Sequence, residues 1–372
     1  MLEPVEVRQL GAWSRAFERK YKDARYYALI DETLSNDFDF RYLVLEDTDG
    51  KVRAIQSVFF VRQNLVEGVR GIIRSILDAL RKKFPRFLTM RVLMIGCAAG
   101  AGELSPVNQE DEQWVARALG PVLRDYARAS KASLVVFKDF LAKQRDVLQV
   151  LTQQGYVRAP SMPMTRLAIS FRDFDEYLAT LGHASRKSLR RKFRKTESAA
   201  KIDMQVLSDV TEMIDQIYPL YLQVHERSPM KFERLTRDFF LRVSKEMPER
   251  ARFFVWKIGD RIIAFSFALL FEDTLYDEVI GLDYDVALDL HLYFYTMRDV
   301  IRWAIDHKVR EYVSGPLNYD PKLHLGHELL PLDLYVQHTN SFLNPIFKFA
   351  LKYLEPTRHD PVLKKFPNAH DL

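Results

Sequence analysis

Apolar positions along the chain fall into two copies of one order. Tyr42 to Val61, YLVLEDTDGKVRAIQSVFFV, carries two alternating apolar runs about an Asp-Gly pair, which is the pattern of a β-hairpin. Arg252 to Phe271, RFFVWKIGDRIIAFSFALLF, repeats it about Gly259-Asp260. Each hairpin leads to a further strand, RVLMIG (Arg91 to Gly96) or TLYDEVIG (Thr274 to Gly281). An amphipathic helix follows, EQWVARALGPVLRDYARAS or LHLYFYTMRDVIRWAIDHK, and then a strand, SLVVF or EYVSG. The helix starts near 112 and 290 differ by about 178, as do the next strands near 134 and 312, whereas the hairpins differ by about 209. Most of that difference is taken up by LVEGVRGIIRSILDALRKKFP, which reads as a helix from Leu65 to Pro85 inserted in the first copy alone. The pattern predicts an internal duplication with domains over 1–172 and 173–345, followed by a C-terminal helix and tail over 346–372.

Composition narrows the setting. The 372 residues are 48% hydrophobic and 28% charged, which excludes a disordered or fibrous chain. The single cysteine, Cys97, excludes an intramolecular disulfide and a multi-cysteine zinc site. His324 and His327, three residues apart beside Glu328, are too few and too poorly spaced for a metal centre, so none is expected. The longest apolar run, Ile262 to Phe271, falls well short of the ~20 residues of a membrane helix. A cytoplasmic protein is expected, with peripheral contact to the inner membrane left open. SFLNPIFKFALKYLEPTRHDPVLKKF at the end has apolar residues at helical spacing with Lys348 and Lys352 opposite, the pattern of a helix packed on the core more often than of a membrane anchor.

Net charge is only +5, but it is concentrated: RKSLRRKFRK, residues 186–195, has seven basic residues in ten. Leu189 and Phe193 give it a narrow apolar stripe, so it reads as a basic amphipathic helix. Arg190 and Arg194 are candidates to hold an anionic partner: tRNA phosphates, lipid headgroups, an acyl-carrier protein or a nucleotide pyrophosphate. A solvated face offset by Asp173, Asp175, Glu176 and Glu197 is the alternative. No paired-aromatic motif points to sequence-specific nucleic-acid reading.

The glycine-turn hairpin, third strand, helix and further strand resemble the core of the GNAT N-acyltransferase superfamily. VLQVLTQQGYVRA, Val147 to Ala159, looks like that family's helix leading into a later strand. FPRFLTMRVLMIGCAAGAGEL, DFDEYLATLGHASRKSLRRKFRKTE, YDEVIGLDY and GPLNYDPKLHLGHEL extend the resemblance to the tandem-GNAT, FemAB-like branch, from about 40 to 345. The resemblance implies an α/β fold of two GNAT-like domains, each a mixed, mostly antiparallel sheet flanked by helices, with the working cleft at or near their junction. It implies an N-acyltransferase, monomer or homodimer, in which a small-molecule amine attacks a thioester of acyl-CoA or acyl-carrier protein. The donor's pantetheine arm would lie between two splayed strands and its pyrophosphate on a glycine loop.

Candidate residues come from one loop that matches the family pattern and from polar residues near strand and helix ends. Gly96, Gly100 and Gly102, in GCAAGAG, fit the phosphate loop of the first copy, although Cys97 stands where Arg or Gln is usual; a tight small-residue loop packed beneath the inserted helix is the alternative. The second copy has GLDYDVALDLHL there, with Asp283, Asp285 and Asp289 set against a pyrophosphate. That departure leaves room for aminoacyl-tRNA, the donor of the FemABX relatives. Glu278, on alternation facing the same side as Tyr276 and Ile280, is the candidate proton relay. Tyr319 is placed to donate to the leaving thiolate and Lys322 to neutralise developing charge, with Asp283, Tyr284 and His327 completing a polar ring. In YLQVHERSPMKFERL, His225, Glu226 and Arg227 are candidates to line the amine's entrance. The competing expectation is a non-catalytic binder of an anionic envelope precursor or membrane.

Overall fold

The computed structural model describes residues 1–64 and 89–372. The helix expected over Leu65 to Pro85 lies outside the described residues. Contacts divide the chain into unit 1, Met1–Met162 with Pro331–Asp360, and unit 2, Pro163–Leu330 with Pro361–Leu372. Among the described residues no helix is long and apolar enough to cross a membrane.

In unit 1, β1 (Asp39–Glu46) and β2 (Val52–Asn64) form the expected hairpin. Asp47 closes its turn by accepting the N–H groups of Asp49 and Lys51, and Gly50 supplies the left-handed residue (φ 74°). β3 (Thr89–Ile95) runs antiparallel to β2, and β4 (Leu134–Leu141) parallel to β3. The parallel step needs a crossover, supplied by α1 (Glu112–Ala129), whose Val115, Leu119 and Leu123 are buried in this unit's core. Pro121 inside α1 cannot bond the Arg117 carbonyl, and Gln154 Nε2 does so instead at 2.8 Å. Gln154 directly follows α2 (Arg145–Gln153), so the QQGY segment anchors one helix to the other.

Unit 2 repeats these pairings. β7 (Ala251–Ile258), β8 (Arg261–Phe271) and β9 (Thr274–Leu282) are antiparallel neighbours, and β10 (Glu311–Ser314) pairs parallel with β9. A short β6 (Asp203–Leu207) edges β7. Packed on this sheet are α3 (His183–Ala199), α4 (Ile214–Arg227) and the crossover helix α5 (Leu292–Asp306). Leu189 and Phe193, the apolar stripe of the basic segment, are buried with Trp256, Val300 and Ile301.

The last strands cross over. β5 (Val157–Ala168) follows the helices of the first copy, yet its Thr165–Ala168 pairs antiparallel with β10 of unit 2. β11 (Glu328–His338) follows the second copy, yet its Leu332–His338 pairs antiparallel with β4 of unit 1. The expected boundary at 172/173 therefore moves to 162/163, and the tail divides, 331–360 belonging to unit 1 and 361–372 to unit 2.

The two parallel pairs differ at their ends. In unit 1 the chain leaves the sheet at Gly96, makes the excursion 97–101, and returns to the same line over 102–107. Gly102 N–H bonds Asp139 O at 3.0 Å, and Ile55 N–H and Val107 N–H bond Ser105 O and Arg53 O at 3.1 and 2.8 Å. The returning segment closes the gap past the last β3–β4 pair, Ile95 with Phe137. A Cβ on Gly102 would lie 2.2 Å from Lys138 O, a backbone atom that cannot swing aside. Gly102→Ala is expected to cost about 2–3 kcal/mol of stability by overpacking, measured by urea unfolding.

Candidate active site

Past the last β9–β10 pair, Asp277 with Ser314, no strand among the described residues returns to fill the gap in unit 2. Gly315 N–H makes a final bond to Asp277 O at 3.1 Å, and the chain then leaves through Leu317 and Asn318, both left-handed (φ 71° and 49°). Such backbone is costly for leucine and holds only where its surroundings impose it. The turn leads into α6 (Tyr319–His324). Between the parted strands lies a cavity of about 70 Å³, lined by Asp277, Glu278 and Ile280 from β9, Ser266 from β8, Tyr312 and Ser314 from β10, Tyr293, Thr296 and Met297 from α5, and Lys322 from α6. All of these residues belong to unit 2.

Asp277 is the centre of the polar wall. Its carboxylate accepts from the Ser266 hydroxyl and, at 2.6 Å, from the Tyr312 hydroxyl. Burial raises the Asp277 pKa, against the opposing pull of those two bonds and of Lys322. Lys322 is 1% exposed. Its ammonium donates to Gly315 O and, at 3.0 Å, to Leu317 O, which pins the strained turn and leaves one N–H for the cavity. Burial lowers its pKa to about 7, with Asp277 pulling the other way. An acid shifted up and an amine shifted down on one wall are the kind of perturbed groups that mark a functional site.

Glu278 lines the same cavity, so the structure brings Glu278 and Lys322 together. The alternation argument for Glu278 does not survive, however. Opposite β8 the register steps from Val279 to Asp277 between Phe267 and Ala268, making Glu278 the extra residue of a bulge. Tyr319 is buried, and its hydroxyl donates to Pro163 O at 2.8 Å, away from the residues lining the cavity. His327 is 2% exposed, with its ring 5.4 Å from that of Tyr312 and neither ring nitrogen hydrogen-bonded. Burial, then the Lys322 charge, lowers its pKa to about 3, so it is neutral. Because a buried polar group without a partner is destabilising, His327→Leu is expected to raise stability by about 1 kcal/mol in urea unfolding, with turnover unchanged if the ring takes no part in catalysis.

The remaining candidates lie elsewhere. Asp283 is buried and bonded to Arg261, so its charge is matched within the fold. Tyr284 sits against the end of α4: its N–H bonds the Gln223 side chain at 3.1 Å, and its ring lies 4.2 Å from the Arg227 guanidinium. His225 Nε2 is 3.1 Å from Glu233 O, and its pKa is lowered mainly by burial; Glu226 is exposed. Arg190 and Arg194 are exposed on α3. In unit 1, Gly96 and Gly100 have φ of 119° and 116°. The loop they frame, however, turns carbonyls toward cations: Ala99 O accepts from Lys22 Nζ at 2.9 Å and Gly100 O from Lys138 Nζ at 3.2 Å. A phosphate cradle presents N–H groups, so here the loop reads as a packed corner against β4. Among the described residues no group of His, Cys, Asp or Glu is placed to hold a metal ion.

Asp277, Ser266 and Tyr312 were not singled out from sequence. A serine inside IIAFSFALLF and two successive acids inside the strand TLYDEVIG were the available signals, each a polar residue in a segment otherwise suited to burial.

Residues 183–323, which include every cavity residue, match the profile of an acetyltransferase (GNAT) domain. Over the whole length, the fold is similar to FemX (TM-score 0.52, 12% identity, 94% of this chain and 99% of that one). It is also similar to L-PGS from Bacillus licheniformis (TM-score 0.51, 12% identity, 90% and 96%). Residues 183–323 thus carry a GNAT domain, within a chain whose overall fold is similar to that of FemX. A Mycobacterium tuberculosis protein provisionally named 8-amino-7-oxononanoate synthase 2 is 21% identical over 317 residues, covering 83% of this chain and 41% of its own length. The chain thus spans less than half the length of the curated relatives it matches. The acetyltransferase (GNAT) domain match falls on the copy whose parallel pair stands open.

Proposed function

We propose that unit 2 transfers an acyl group from an activated donor to an amine, and that unit 1 has given up donor binding. The contrast between the two parallel pairs carries this reading: one gap is refilled by 102–107, while the other opens on Asp277, Glu278 and Lys322. An acyl thioester, or an ester, supplies an activated carbonyl. The parted β9 and β10 leave room to align the donor's arm beside Gly315. The amine attacks the carbonyl carbon, a C–N bond forms, and the bond to sulfur or oxygen breaks. Glu278, through water, takes the proton that the amine loses and Asp277 is the buried acceptor behind it. Lys322 sets its remaining N–H toward the charge that develops on the carbonyl oxygen and leaving group.

One observation favours an aminoacyl ester over CoA. The turn between Gly281 and α5 has no further glycine, so it lacks the close-approach backbone of a pyrophosphate cradle, and Arg261 beside it is already engaged by Asp283 and Asp285. The test is to offer the purified chain isotopically labelled acetyl-CoA, acyl-carrier protein loaded with acyl groups, and aminoacyl-tRNA, each with a panel of amines, and to weigh the products. Transfer from any donor that is abolished in Asp277→Asn supports the reading, and the productive donor decides between thioester and ester. Failure of a folded protein to bind or use all three would favour a non-catalytic binder of an anionic precursor.

A further inference from the structure

We propose that one end of unit 1, built around Phe342, Leu343 and Phe349, docks on the surface of an anionic lipid bilayer. These side chains are 90%, 46% and 63% exposed, and they fall within eight residues of chain. Phe342 is not on a fraying end. Asn340 Oδ1 accepts its N–H at 2.9 Å, Asn340 O accepts the N–H groups of Leu343 and Asn344, and His338 Nδ1 accepts the N–H of Asn340 at 3.0 Å. Asn344 then ties the turn to the body through His338 N–H and Gly155 O, at 3.0 and 3.1 Å. The chain goes on into a helix over Asn344–Leu354, in which Phe347 faces His338, with rings 6.1 Å apart, while Phe349 faces out. The fold thus leaves three large apolar side chains open to water on one short stretch.

The charge around them indicates what covers them. Arg128 reaches the turn directly, donating to Thr339 O at 2.7 Å and to Ser341 Oγ at 3.2 Å. Lys131 is exposed beside Ala132 and Ser133, whose carbonyls accept from Thr339. Lys348 lies within the helix between Phe347 and Phe349, and Asp125, 3.8 Å from Arg128, is the acid of this group. Aromatic residues rimmed by cations match a headgroup boundary, with rings among acyl chains and cations at phosphates. A second copy of the chain would bring Arg128, Lys131 and Lys348 against their own equivalents, which like-charge repulsion opposes.

This docking does not depend on the acyl-transfer reading. The experiment is co-sedimentation of the full chain with phosphatidylcholine vesicles and with vesicles in which about 30% of the lipid is phosphatidylglycerol. Binding is expected to the anionic vesicles, to weaken in high salt, and to fall at least about tenfold in Phe342→Ala/Phe349→Ala and in Arg128→Gln/Lys131→Gln. Circular dichroism confirms that the exposed substitutions leave the fold intact. Absence of sedimentation, equal binding to both vesicles, or binding indifferent to the phenylalanines would overturn the proposal. So would a concentration-dependent dimer abolished by Phe342→Ala in a protein that ignores vesicles.

Discussion

Replacing Lys322 with methionine is expected to lower kcat/KM for acyl transfer by about a hundredfold or more, the usual consequence of removing a charged donor aimed at a developing oxyanion. The wild-type pH profile provides the specific signature. Burial brings the Lys322 pKa to about 7, so the ammonium present below that pH is lost as pH rises through it. If the ammonium stabilises developing charge, turnover declines on the alkaline side near pH 7. If the free amine acted as a base, turnover would instead rise through the same pH. Lys322→Arg keeps its proton at all accessible pH, so this variant is expected to lose the alkaline decline while retaining part of the rate. The stability linkage has its own sign. Between pH 7 and 10.5 the unfolded chain holds the proton that the folded chain has released, so folding stability contributed by this group increases with pH across that window. Lys322→Met also leaves the Gly315 and Leu317 carbonyls without their donor, and a loss of stability accompanies the loss of rate.

Gly315→Val is expected to leave the fold standing and to reduce donor affinity at least about tenfold. A Cβ at Gly315 would meet Asp277 O and Glu278 O at 3.7 Å each, ordinary contact distance, and a β-branched residue suits the end of a strand. The added methyl groups, however, would occupy the mouth of the gap between β9 and β10. Thermal unfolding near the wild-type midpoint together with lost donor binding, read by competition or native mass spectrometry, would place the donor in this gap. Unchanged affinity would remove it from there. The contrast with Gly102 is informative, because that glycine, on the β3 side of the gap in unit 1, is sterically required by a neighbouring backbone, and Gly315, on the β10 side of the gap in unit 2, is not.

Much of this architecture is legible in the residues. Alternating apolar runs about Asp49-Gly50 and Gly259-Asp260 locate both hairpins, and the 3.6-residue periods of EQWVARAL and YTMRDVIRWA locate both crossover helices. What escaped was non-local. That β5 pairs with β10, and β11 with β4, depends on where strands meet after long excursions, and no local pattern encodes that partner choice. The site was half legible for the same reason. Lys322 and Glu278 could be chosen as polar residues near strand ends, but strict alternation fails at a bulge. Tyr319 has a partner, Pro163, that is 156 residues away in sequence. GCAAGAG looked like a phosphate loop because small residues permit close approach; that the close approach is to β4 becomes visible only in three dimensions.

The exchange of final strands ties the two copies together more firmly than a linker does. The last strand of each copy pairs with a strand of the other, β5 with β10 and β11 with β4. A gene cut at the middle therefore yields two halves that each lack a strand and bare an open sheet edge. Such halves are prone to aggregate, so neither half is expected to stay folded and dispersed when expressed alone.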